Sequence, residues 1–154
     1  MGISVILKQF GSIKDCFKFY YSDNDENYIP ALKGLWKELL GNESIKNSLL
    51  PDPQKNSSCK RLHLYLRWMI RADEVDPGCW STLPADKLIF PLDTHIFSIG
   101  RKMELTKRNT ADIKTAIEIT EAFKYINSND PVKYDFALTR FGIRDDMNEL
   151  PPWL

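Results

Sequence analysis

The feature that most constrains this chain is a rhythm. Apolar residues return every three or four positions in several long stretches, and turn residues separate those stretches. In YIPALKGLWKELLG, residues Ile29, Leu32, Leu35, Trp36 and Leu39 share one helical face, with Gly41 placed to end the helix. CKRLHLYLRWMIR follows Asn56, Ser57 and Ser58, each of which offers an N-cap. TADIKTAIEITEAFKYI repeats apolar positions at Ile113, Ala116, Ile117, Thr120, Phe123 and Ile126, the pattern of an amphipathic helix. NDPVKYDFALTRFG carries Asp130 as cap, Pro131 at the first helical position and Gly142 past the end. The only strand candidate is KLIF, residues 87–90, too short to make a sheet. The expected fold is all-α. Two irregular connections are expected, KNSLLPDPQKNSS before the second of these helices and residues 72–90 after it. The tail RDDMNELPPWL, residues 144–154, reads as peripheral, with Trp153 able to dock.

A chain of 154 residues is the usual size of one domain, here read as a single helical domain. With 21 basic and 21 acidic residues, nucleic-acid binding requires a local patch rather than a global positive field. Three scattered cysteines, Cys16, Cys59 and Cys79, suit a reducing compartment and exclude a four-cysteine zinc or iron–sulfur site. Only two histidines are present, so no metal site and no cofactor is expected. No apolar run reaches membrane-spanning length, and no secretory signal opens the chain. A cytoplasmic monomer is the expectation.

Two positions raise a question of chemistry. In FPLDTHIFSIGRKMEL, Asp93 precedes a helical pattern and makes a good N-cap, since its carboxylate accepts backbone N–H groups and complements the helix dipole. The same arrangement keeps a carboxylate ionised and aimed, and Leu88, Ile89, Phe90 and Leu92 would dry its surroundings. On the helix at 59–71, Lys60, His63, Arg67 and Arg71 fall in one narrow sector, with Leu62, Tyr65, Leu66 and Met69 opposite. The plain reading of that sector is a solvated charged face, and the sharper one is a stripe that contacts phosphates. Lys60 stands in the first turn beside Arg61, where positive charge opposes the dipole. Both effects favour the neutral amine that a nucleophilic lysine needs.

PLDTHIFSIGRKMEL closely resembles the segment of helix-hairpin-helix DNA glycosylases, the endonuclease III superfamily, that carries their essential aspartate. The longer stretches LLPDPQKNSSCKRLHLYLRWMIRADEVDPGCW, LIFPLDTHI and DPVKYDFALTRFGI resemble the bacterial family catalogued as domain of unknown function 2400. That resemblance runs from Gly11 to Ile143, and this chain is shorter at the N-terminus than the members of that family. It implies a compact helical domain like that of the glycosylases and a DNA base-excision activity. Asp93 matches the family aspartate, and Lys60 matches the lysine of the bifunctional members, whose Schiff base adds an AP-lyase step. Arg61, Arg67, Arg71 and His95 would contact DNA, and Trp68 or Trp80 would stack on a base, packing being the plainer reading for both tryptophans. The departures are that LLPDPQKNSSCK has no glycine where the glycosylase hairpin is glycine-rich, and that no iron–sulfur cluster is expected. A non-catalytic helical DNA-binding module and a protein-interaction domain remain open beside the enzyme.

Overall fold

Helices form in this chain where apolar residues recur at helical spacing, and at several of their starts a polar side chain satisfies the first free N–H groups. The computed structural model describes residues 2–40 and 50–140, and the backbone of 141–143; among these there are seven α-helices. Helices α1 (Gly2–Phe10), α2 (Ile13–Phe19) and α3 (Ile29–Leu40) pack on one another. α2 is started by Ser12, whose hydroxyl accepts from the Asp15 N–H at 3.0 Å. α3 matches the sequence expectation and buries Ala31, Leu32, Gly34 and Leu35. Its expected stop, Gly41, lies outside the described residues, as does the tail with Trp153.

α4 (Lys60–Ile70) comes next, then a long connection with one 3-10 turn at Ala85–Lys87, and then α5 (Thr94–Lys102), α6 (Ile113–Lys124) and α7 (Asp135–Ile143). α5 packs against α7. α6 begins at Asp112, whose carboxylate accepts from the Thr115 N–H at 3.0 Å. Its buried face is Thr115, Ala116, Ile119, Thr120 and Phe123; Ile126, read as part of that face, lies beyond the helix and is exposed.

The described residues contain no strand, only two isolated bridges. Of KLIF, Lys87 ends the 3-10 turn, and the extended segment that follows threads the core, with Leu88, Ile89 and Phe90 all buried. Its apolar run needs no partner strand, because side chains meet its backbone: the Phe90 N–H donates to the Thr120 hydroxyl at 3.0 Å. The same hydroxyl donates to the Ala116 carbonyl at 2.6 Å.

Two helix ends differ from expectation. α7 begins at Asp135 rather than at Pro131, because the Asp130 carboxylate is drawn away to Arg71, at 2.9 Å. Pro131 and Val132 are buried in the turn that results, and Gly142 lies inside the helix instead of beyond it. The N-cap of α4 is Cys59, in the left-handed region at φ 46°, with no side-chain cap bond. The serines before it have other duties. Ser57 Oγ accepts from the Cys59 N–H at 3.2 Å, and Ser58 Oγ donates to the Leu92 carbonyl at 3.2 Å.

Aromatic contacts tie the helices together. Phe17 meets Tyr28 and Trp80, Trp80 meets Tyr65, and Phe123 lies between Phe90 and Tyr134. No described helix is long and apolar enough to cross a membrane.

Candidate active site at the starts of two helices

The Ser58–Leu92 hydrogen bond staples the loop before α4 to the loop before α5. Two helix starts distant in sequence are thereby held side by side. Lys60 is the first residue of α4, and Asp93 is the N-cap of α5. Their side chains meet, with Lys60 Nζ 3.0 Å from Asp93 Oδ2. The other carboxylate oxygen, Oδ1, accepts from the Ile96 N–H at 2.8 Å, as an N-cap should. Lys60 keeps 44% of its side chain exposed and Asp93 only 13%, so the amine reaches solvent while the acid is largely dry.

Burial alone would raise the Asp93 pKa. The Ile96 N–H, the Lys60 ammonium and the charge of His95 outweigh it and hold the carboxyl below its ordinary range. Asp93 is therefore an ionised carboxylate at neutral pH, and both the capping and the chemical readings require that state.

Next to Lys60 lies a pocket of about 350 Å³. Trp68 from α4 and Phe136 from α7 form part of its wall, 42% and 40% exposed, with Pro91 of the loop before Asp93 and Asp135 from the start of α7. A cleft with an amine and two open aromatic rings suits a flat organic ligand. Asp135 is buried, with one oxygen paired to Arg67 and its Oδ1 without a hydrogen-bond partner. Burial raises its pKa to about 6; Arg67 and Lys60 pull it down and Asp93 pushes it up, so all three charges act on one carboxyl.

The remaining candidates divide. Arg61 and His95 are exposed, Arg61 beside Lys60 and His95 in the first turn of α5. Arg67 and Arg71 are not part of a solvated stripe. Arg67 is 4% exposed and pairs with Asp76 at 2.9 Å and with Asp135. Arg71 is 7% exposed and pairs with Asp73 at 2.7 Å, Asp130 at 2.9 Å and Asp76. Both guanidiniums are committed to carboxylates from the connection after α4 and from around the start of α7, Arg67 also lining the pocket wall, so neither belongs to a solvated stripe of the kind that tracks phosphates. His63, in the same sector, is also buried, and burial lowers its pKa to about 4, leaving it neutral. Trp80 is core, whereas Trp68 stands at the pocket.

Sequence reasoning passed over Asp135 and Phe136. In VKYDFALTRF they read as an acid and an apolar residue of an ordinary helix, and nothing local links them to Lys60. Among the described residues no group of three or more His, Cys, Asp or Glu side chains is placed to hold a metal ion.

No match is found among curated proteins or among solved structures. The family model described as "Protein of unknown function (DUF2400)" matches residues 1–144, and the chain, matched over nearly all of its length, belongs to that family.

Proposed function

We propose that this protein is a DNA base-excision glycosylase with an AP-lyase step, and that Lys60 is its nucleophile. The observation that carries the reading is the 3.0 Å contact between Lys60 Nζ and an ionised, helix-capping Asp93, at the edge of a pocket with open aromatic rings. A target base flipped out of the duplex would enter that pocket and stack on Trp68 or Phe136. Only the neutral amine attacks, so the ammonium first passes a proton to Asp93 or to solvent. The lysine nitrogen then bonds to the sugar C1′. The base departs with the electron pair of the broken glycosidic bond and takes up a proton. Asp93, ionised again once its proton has passed to the departing base, stabilises the cationic sugar, and transfer of an N–H proton from the new C1′ ammonium to O4′ opens the ring and gives the Schiff base. Loss of a C2′ proton expels the 3′ phosphate and nicks the strand. Arg61 and His95, exposed beside the pair, are the residues assigned to flanking phosphates.

The competing reading is that Lys60 and Asp93 only join two helix starts in a non-catalytic module; the lack of glycine in LLPDPQKNSSCK favours it. Borohydride trapping on a panel of damaged duplexes separates the two. A covalent protein–DNA adduct with the wild type, absent with Lys60→Gln, supports the enzyme. No adduct with any lesion leaves the pair as a structural staple.

A further inference from the structure

Asp135 is not used by the chemistry just described, yet its place is unusual. It is 3% exposed, it lines the pocket beside Lys60, and its Oδ1 has no hydrogen-bond partner. A buried carboxylate oxygen left empty is unfavourable, and such an atom is most simply explained as waiting for a donor. The partner is not a neighbouring side chain. The adjacent cation, Arg67, is already committed to Oδ2 and to Asp76. Arg67 lines the same pocket, and its guanidinium carries further N–H groups. Asp135 and Arg67 therefore stand side by side on one wall of the pocket, with Trp68 and Phe136 available to stack.

We propose that Asp135 is the specificity-determining residue of this pocket, where it selects bases with a lactam edge. The ring N–H of such a base would donate to Oδ1, and the neighbouring ring carbonyl would accept from Arg67. A base whose ring nitrogen is an acceptor would leave Oδ1 unsatisfied and set two lone pairs against each other. The inference rests on the reading of the pocket as the seat of a DNA base. The charged groups that act on Asp135 are Arg67 and Lys60 from α4 and Asp93 at the head of α5, with Asp76 behind Arg67.

The test uses two free bases that have no sugar to react, hypoxanthine and 6-methoxypurine. They differ in that methylation of the exocyclic oxygen on C6 turns the N1–H donor into an acceptor. Each is titrated into the full chain and followed by tryptophan fluorescence. At neutral pH the wild type is expected to bind hypoxanthine about tenfold or more tightly than 6-methoxypurine, the range of a hydrogen bond to a charged group. Asp135→Asn should remove most of that preference. Lowering the pH to about 5 should shrink it in the wild type, because a protonated Asp135 no longer accepts at the carrying oxygen. That arm needs no variant, so it decides the matter even if Asp135→Asn does not fold. Equal affinity for the two bases, binding of neither up to about 1 mM, or a preference untouched by pH would overturn the assignment. The two readings fail separately. A protein that traps damaged DNA but does not discriminate between the bases refutes the role of Asp135 alone. One that discriminates but never traps refutes Lys60 as nucleophile and leaves Asp135 standing.

Discussion

The two ends of α4 make an instructive contrast. Lys60 and Arg67 lie in one sector of the helix, Arg71 is its C-cap, and all three carry the same charge, yet they meet opposite fates. At the N-terminal end Lys60 has one acidic partner and an open path to solvent. At the C-terminal end Arg67 and Arg71 are shut in with Asp73, Asp76, Asp130 and Asp135. A lone pair at a cleft edge can exchange its proton and its partner. Two buried guanidiniums facing four carboxylates, of which Asp76 and Asp135 are buried as well, cannot let go without leaving a buried charge unpaired. Like charge in sequence thus divides into an open end, where we propose the chemistry lies, and a structural end.

The strongest response should come from the open end. Lys60→Gln should abolish borohydride trapping, and Asp93→Asn should reduce it by orders of magnitude, since electrostatic stabilisation of this kind supplies about 3 kcal/mol or more. Neither change should disturb the fold, because Asn caps nearly as well as Asp. Urea denaturation of Asp93→Asn should show a loss of about 1 kcal/mol or less. Full activity in that variant would reduce Asp93 to a cap.

The structural end should respond in the reverse way. Arg67→Met leaves Asp76 and Asp135 without their shared cation, and a loss of about 3–5 kcal/mol in denaturant-measured stability is expected. A loss under about 1 kcal/mol would mean that the interior network is already slack, and the contrast between the ends would collapse.

A pH titration of stability probes the same contrast more finely, because the two acids should act with opposite sign. The raised pKa of Asp135 makes its contribution full below the unfolded value near 4 and progressively lost as pH rises through about 6. The depressed pKa of Asp93 makes its contribution full above that unfolded value and lost as pH falls below it. On acidification from neutral pH toward 4, the wild type should therefore gain stability relative to Asp135→Asn, by up to about 3 kcal/mol. A flat difference between the two proteins over that window would contradict the assignment for Asp135.

The weakest response concerns the exposed cations. Arg61→Ala should weaken DNA binding to all sequences alike and reduce the salt slope by about one. Arg67, on the same helix, and Arg71, its C-cap, should contribute no phosphate contact of their own. A salt slope unchanged in Arg61→Ala would move the DNA to another face.

Much of this molecule is legible in its amino-acid sequence. Helical periodicity locates α3, α4 and α6, because a buried helical face needs apolar residues at that spacing wherever it packs. The cap at Asp93 is legible as well, being a local hydrogen bond between a side chain and an amide three residues on. Local chemistry also misleads. Asp130 and Pro131 spell a helix start, yet Arg71, 59 residues away in sequence, captures the carboxylate and the helix begins later. Leu88, Ile89 and Phe90 have the composition of a strand because all three are buried, and burial does not specify a hydrogen-bond partner.

An all-α fold, the cap at Asp93 and the pattern of the family to which the chain belongs are all written in the chain itself. They depend on interactions within a few positions of one another or on motifs spelled contiguously. Tertiary packing was needed to bring Lys60 against Asp93, to turn Arg67 and Arg71 inward, and to carry Asp135 to the same pocket with an oxygen unspent. Each of those outcomes joins a side chain to a partner from another helix or loop. The free energy of burying a charge is set by whatever partner arrives, and no short stretch of sequence carries that information.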